Sequence, residues 1–222
     1  MNIDNDGILH PAGAIFDMDG LMLDTERPLI PLWAKAGKKY GREIAPETVI
    51  RTIGLNASDI RKLCIGELGP EFPYDIFHED LNKLAAEEFE RGINLKPGLL
   101  DLLNHFTSLK VPLAVATSSR RDSAVWKLRK AGILDFFTEV SGGNEVGHGK
   151  PAPDVFLLAA EKLNVLPALC VGFEDSPAGL LAIHAAGMRS VFVKDLIEPP
   201  GDVLSTVWRR CNDLGEAVIF FG

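Results

Sequence analysis

The sequence predicts an α/β protein: a doubly wound parallel sheet with a small all-helical domain inserted after its first strand. Three observations lead there. Beyond residue 95, short apolar or β-branched runs alternate with helix-like stretches, a pattern that implies right-handed crossovers and a parallel sheet covered on both faces. Between Arg27 and Ile93 the texture changes, and only helical candidates occur. The chain has 222 residues, enough for one large domain or for one domain carrying an insertion.

Ala14-Ile15-Phe16 reads as the end of a buried strand, and Asp17, Asp19 and Asp24 follow it. Leu29–Tyr40 and Phe77–Arg91 are the helical candidates of the insertion. The second places Leu81, Leu84, Ala85 and Phe89 at helical spacing, with Glu88 facing away. Gly and Pro near Asp24–Pro28 and Gly92–Pro97 mark loops where the chain leaves the sheet and returns. The expected division is a core of residues 1–26 and 96–222 and a helical cap of residues 27–95, placed as a lid over the sheet's carboxyl edge. Strands then follow at Val111–Thr117, Phe136–Gly143, Ala168–Phe173 and Arg189–Val193, with helices at Asp122–Ala131, Asp154–Asn164 and Pro177–Ala186. Pro177 suits a first helical turn and Gly187 a helix end.

Composition narrows the function. Hydrophobic content of 46% with 24% charged residues is that of a soluble globular protein. A net charge of −8 argues against a nucleic-acid-binding surface. No apolar stretch approaches the roughly 20 residues that cross a bilayer, and "MNIDNDGILHP" lacks the basic and apolar pattern of a signal peptide. Cys64, Cys170 and Cys211 match neither a disulfide framework nor zinc-ligand spacing, so a cytoplasmic location is expected. Cys170, in "ALCVGF", reads as a buried filler.

Ligands of open parallel sheets bind beyond the carboxyl ends of the strands. Those ends deliver Asp17-Met18-Asp19, then Thr117-Ser118-Ser119-Arg120, then a loop holding Lys150, then Glu174-Asp175-Ser176. Acidic oxygens around a hard cation describe a Mg²⁺ site, with Asp17 and Asp175 its best ligands. A hydroxyl and a lysine alongside suit a phosphate. One carboxylate can attack phosphorus, and a second can protonate the leaving oxygen and then activate water.

"FDMDGLMLDTE", "LAVATSS", "GKPAPDVF" and "GFEDSPAGLLAIHAAGM" resemble, in order and spacing, the four motifs of the haloacid dehalogenase superfamily. The helical insertion resembles the small cap of its β-phosphoglucomutase-like subfamily. The resemblance implies that Asp17 is the nucleophile and a Mg²⁺ ligand, and that Asp19 is the general acid/base, its backbone carbonyl on the metal. It implies that Thr117, Ser118 and Lys150 hold the phosphoryl group, that Asp175 ligates Mg²⁺ with Glu174 beside it, and that Gly20 lets the chain turn close to the phosphate. Dehalogenases of the superfamily lack an aspartate at the position of Asp19, so the resemblance is to the phosphoryl-transfer members.

The expected function is a Mg²⁺-dependent phosphatase acting through an aspartyl-phosphate on a sugar phosphate or phosphorylated nucleoside. The expected partner is that small phosphate ester, with no nucleic acid and no membrane, on a monomer or weak homodimer. A phosphomutase is the alternative, and a non-catalytic receiver-like phospho-aspartate switch is a remote one. Mutases of the subfamily carry a histidine at the position held here by Leu29, which favours hydrolysis. Arg51, Asn56 and Ser58, in "RTIGLNASDIRKL", are the cap's candidates for reading the substrate, with Arg27 at the hinge. Ser119 or Asp122 is expected to cap the following helix. His148 reads as a solvent-exposed loop residue, Trp33 as a packing residue, and Arg120-Arg121 as solvated side chains rather than a second anion site.

Overall fold

The computed structural model describes residues 2–3, 8–55 and 57–222. In chain order, β1 (Asn2–Ile3) and β2 (Leu9–His10) form a short antiparallel pair, and β3 (Gly13–Phe16) enters the main sheet. Four helices follow: α1 (Glu26–Lys39), α2 (Pro46–Ile50), α3 (Ala57–Leu68) and α4 (Tyr74–Arg91). The chain then alternates through α5 (Leu99–Ser108), β4 (Leu113–Thr117), α6 (Arg121–Lys130), β5 (Glu139–Gly142), α7 (Asp154–Lys162), β6 (Cys170–Glu174), α8 (Pro177–Ala185), β7 (Arg189–Val193), α9 (Gly201–Leu204) and β8 (Arg209–Cys211).

The main sheet has six strands in the order β5-β4-β3-β6-β7-β8, paired in parallel throughout. The chain runs outward from β3 through β4 to β5, then returns to β6 on the other side of β3. The strand order therefore reverses between β3 and β6, where open sheets of this kind form their crevice.

Because helices cover both faces, the central strands are apolar on both sides and their residues alternate between two cores. Ala14 and Phe16 face a core with Phe106, Phe173 and Phe221, whereas Ile15 faces Phe156 and Ile183 on the other side. Phe16 and Phe173 stack at 4.5 Å, fixing β3 against β6. Cys170 fills the second core, and all three cysteines are free and buried.

The helices α1–α4 share an apolar cluster of their own, built on Trp33, Phe77 and Leu81, with Trp33 edge-on to Phe77 at 5.4 Å. Glu26 in the first turn of α1 and Lys38 and Lys39 in its last complement the helix dipole. Helix α1 starts three residues ahead of the expected Leu29, and α4 three ahead of Phe77, where Pro73 precedes its first turn. Within the α4 stripe Leu81 and Phe89 are buried, while Leu84 and Ala85 are half-buried. Among the described residues no helix is long and apolar enough to cross a membrane.

Candidate active site

Strand ends on either side of the crevice set the site. Asp17 leaves β3 with its backbone N–H donating to the Phe173 carbonyl of β6 at 3.0 Å, so the two strands deliver their last residues together. Carboxylate oxygens of Asp17, Glu174 and Asp175 lie within 4.8 Å of one another, all buried. Lys150, only 2% exposed, reaches in from the loop after β5 and donates to Asp17 Oδ1 and, at 2.6 Å, to Glu174 Oε1. Glu174 Oε2 accepts from the backbone N–H groups of Asp175 and Ser176, each at 2.8 Å, and from Ser176 Oγ at 3.0 Å. Ser176 Oγ in turn accepts from Gly179 N at 3.1 Å and caps α8, with Pro177 in the first turn.

The chain closes tightly over this cluster. Gly20 has φ +86°, and a Cβ there would stand 2.5 Å from Asp175 Oδ2. The loop before α3 presses in from the other side. A Cβ on Gly54, at φ +77°, would lie 2.7 Å from the Ser176 side chain.

Three carboxylates against one ammonium leave the cluster with excess negative charge. Burial raises Asp17 to about 8 against the opposing pull of Lys150, and the Glu174 charge adds to the rise. Asp175 is likewise raised well above its ordinary value by burial and then by its neighbours Glu174 and Asp17. Burial works to lower Lys150, but Asp17 and Glu174 overcome it and hold the ammonium charged. Hard oxygen donors with uncompensated charge fit a divalent cation, which relieves the repulsion the protein's own residues leave.

Asp19 is treated differently. Its carboxylate turns away from the acidic cluster and accepts from Lys127 Nζ at 2.6 Å, Ser119 Oγ at 2.7 Å and Thr25 Oγ1 at 2.8 Å. Burial opposes ionisation there, but the Lys127 ammonium and these three donors hold the Asp19 carboxyl below its ordinary value. Lys127 comes from α6 and lies 5.8 Å from the Phe89 ring of α4. Thr117, at the end of β4, accepts from Ser119 N at 3.1 Å, and Ser118 Oγ is buried with no hydrogen-bond partner of its own.

Asp17, Asp19, Thr117, Ser118, Lys150, Glu174 and Asp175 line one cavity of about 740 Å³. The helical candidates fare differently. Arg51 does not line it; its guanidinium pairs with Glu67 of α3 and contacts Thr48, which turns it away. Ser58 is exposed in the first turn of α3 and is also outside the lining, while Asn56 lies outside the described residues. Arg27 is tied at the hinge to Asp24 at 3.1 Å and to Asp195 at 2.5 Å, and Lys96 on the returning segment donates to the same Asp195 oxygen at 2.6 Å.

Neither Ser119 nor Asp122 caps α6: Arg120 stands at its N-cap without a side-chain bond, because the Ser119 hydroxyl is drawn to Asp19. His148 is exposed, 3.2 Å from Asp154 Oδ2. Trp33 packs in the helical cluster, as expected, and also lines the cavity. Lys127 and Thr25 as partners of Asp19 are what the sequence reading lacked. Lys127 sits in the basic run "KLRK", where nothing sets it apart from solvated neighbours.

A family model for haloacid dehalogenase-like hydrolases matches residues 14–193. The fructose-1-phosphate phosphatase YqaB of Escherichia coli is 35% identical over 191 residues, covering 82% of this chain and 96% of that protein. The probable pseudouridine-5'-phosphatase of Drosophila melanogaster is 34% identical over 189 residues, covering 82% and 80%. Among solved structures, β-phosphoglucomutase from Clostridium difficile superposes with a TM-score of 0.79 over 93% of this chain and 92% of that one, at 24% identity, a likeness of fold.

Proposed function

Because the chain belongs to the haloacid dehalogenase-like hydrolase family, we propose that its cavity hydrolyses a small phosphate monoester through an aspartyl-phosphate on Asp17, with Mg²⁺ as cofactor. The observation that carries this reading is the buried cluster of Asp17, Glu174 and Asp175 bridged by Lys150, in a cavity that Asp19 and Thr117 also line. The names of the relatives support a phosphorylated sugar or nucleoside as substrate.

Asp17, Asp175 and the backbone carbonyl of Asp19 would hold Mg²⁺, with Glu174 beside them. When bound, the ion screens the charge of the phosphate against the approaching carboxylate. Asp17 attacks phosphorus while the ester P–O bond breaks. Asp19, ionised in the free site, takes up a proton as the substrate's negative charge enters and gives it to the departing alkoxide. The ionised Asp19 then takes a proton from water, whose oxygen attacks phosphorus. The Asp17–phosphorus bond breaks, phosphate leaves, and Asp19 has regained its proton. Lys127, Ser119 and Thr25 aim the Asp19 carboxylate throughout. Thr117, the Ser118 backbone and Lys150 face the phosphoryl oxygens.

Residues 27–95 act in this reading as a cap that excludes water and selects the substrate, in a cytoplasmic enzyme. The test is phosphate release from sugar phosphates and nucleoside monophosphates, with Mg²⁺, with a chelator, and with Asp17→Asn. Release that needs Mg²⁺ and disappears in the variant supports the proposal. No release by folded wild type with Mg²⁺ overturns it, and isomerised sugar phosphate without net phosphate identifies a mutase instead.

A further inference from the structure

The walls of the cavity point to what the phosphate is attached to. Above the carboxylates, α1 contributes Trp33, α4 contributes Phe89, and α6 contributes Trp126, so aromatic rings enter from three helices. Leu29, Ile53 and Leu81 are among the aliphatic side chains that fill in between them.

Several polar side chains of these walls are engaged already, while Glu26 and Ser123 also line the cavity. Thr52 Oγ1 donates to the Val49 carbonyl at 2.7 Å, His78 and Asn82 are bonded to each other at 3.2 Å, and Glu90 accepts from Lys130 at 2.6 Å. Arg120 lies 3.3 Å from Asp122. An open-chain polyol or a hexose would bring several hydroxyls into this space. With few partners on offer, most of these hydroxyls would lose their water uncompensated, which weakens binding. A flat ring with few hydrogen-bonding edges loses nothing comparable and gains apolar and stacking contact.

We propose that the organic half of the substrate is an unsaturated ring system, as in a nucleoside 5′-monophosphate, and that Trp126 and Phe89 select for the ring. The inference rests on the phosphate-ester reading above and goes beyond it in separating nucleotide-like esters from sugar and polyol phosphates. The cavity is several times the size of a phosphate ion and lies within the range of sites that enclose such molecules.

The experiment compares uridine 5′-monophosphate, ribose 5-phosphate and sorbitol 6-phosphate with the full chain and Mg²⁺. The first two share ribose and phosphate and differ at C1′, where the nucleotide carries the uracil ring and the sugar a hydroxyl. The expected kcat/KM is at least tenfold higher for the nucleotide than for ribose 5-phosphate, with the polyol poorer still. Trp126→Ala, at a half-buried position, is expected to bring the first ratio to within threefold, with thermal unfolding recording that the variant is folded. Equal or faster hydrolysis of ribose 5-phosphate or sorbitol 6-phosphate by the wild type overturns the proposal and leaves the hydrolase reading standing. Should none of the three release phosphate, the hydrolase reading is the one in trouble, and calorimetric binding to Asp17→Asn decides the ring. Tighter binding of the nucleotide supports it, and equal binding overturns it.

Discussion

The floor and the walls of the cavity are built on opposite principles. The floor is a set of buried charges held by one another: Asp17, Glu174 and Asp175 around Lys150, and Asp19 among Lys127, Ser119 and Thr25. The walls are largely apolar, and several of their polar side chains are bonded to neighbouring residues. Removing one member of the floor leaves a buried charge uncompensated, whereas trimming a wall changes shape and contact area. The difference teaches where chemistry and selectivity reside. Strand ends, rigid and close-packed, carry the groups that must be placed to a fraction of an ångström. In the proposed reading, α1, α4 and α6 carry the surface that meets the variable part of a substrate.

The largest effect is expected at the floor. Asp17→Asn removes the proposed nucleophile while keeping its size, so phosphate release should fall by at least about 10³-fold with the far-ultraviolet circular dichroism unchanged. Activity within tenfold of wild type would separate the carboxylate cluster from the chemistry and break the comparison at its base. Next comes the metal. Because the cluster holds excess negative charge, Mg²⁺ at about 100 times its dissociation constant should stabilise the fold by about 2.7 kcal/mol. In a chain of this size that raises the melting temperature by several degrees. Asp175→Asn should abolish the rise; a rise that persists in that variant would place the ion elsewhere.

Lys127 tests whether floor and wall are separable at all, since it bonds Asp19 and also lies 5.8 Å from the Phe89 ring. As a positioning residue for Asp19, its change to Met should lower kcat by about 10- to 100-fold with KM altered by less than about threefold. Lys127→Arg should recover much of the loss. A rise in KM at constant kcat would assign Lys127 to the wall instead.

How much of this was legible follows the same division. The strands were readable because a strand buried on both faces is a continuous apolar run, and the residue after it is where polarity returns: Phe16 before Asp17, Phe173 before Glu174. Strand β8 was not, because Arg209-Arg210-Cys211 is a short edge strand with two arginines and shows no apolar run. Helix α5 is not among the expected helices, although Leu99, Leu102, Leu103 and Phe106 are buried on one face. The donors to Asp19 split by sequence distance. Thr25 is six residues away, in the loop where the chain leaves the sheet, while Ser119 and Lys127 are 100 and 108 residues away. Local rules assigned the Ser119 hydroxyl to a helix cap, and only the folded sheet brings a carboxylate to compete for it. Arg51 failed in the opposite way. Its position near a glycine turn suggested a ligand contact, but Glu67, sixteen residues on, is a nearer and permanent partner.

The smallest effect lies in the charges that tie the walls together. Asp80 of α4 accepts from Lys39 of α1, and from the Tyr40 hydroxyl at 2.6 Å, and these donors lower its carboxyl to about 2. The folded value is depressed, so any stabilisation from this contact is present above the ordinary carboxylate range and is lost as pH falls from about 3.9 through about 2. A carboxyl titration followed by NMR should give an Asp80 midpoint of about 2, and Lys39→Met should move it up toward the ordinary value. The pair is solvated, so phosphate release at pH 7 should stay within about twofold of wild type. A tenfold fall would mean that the seating of α1 on α4, and with it the placing of Trp33 against Phe77, is set by this exposed pair rather than by the apolar cluster of Trp33, Phe77 and Leu81. The walls would then depend on charge as the floor does, and the contrast between them would narrow to a difference in burial.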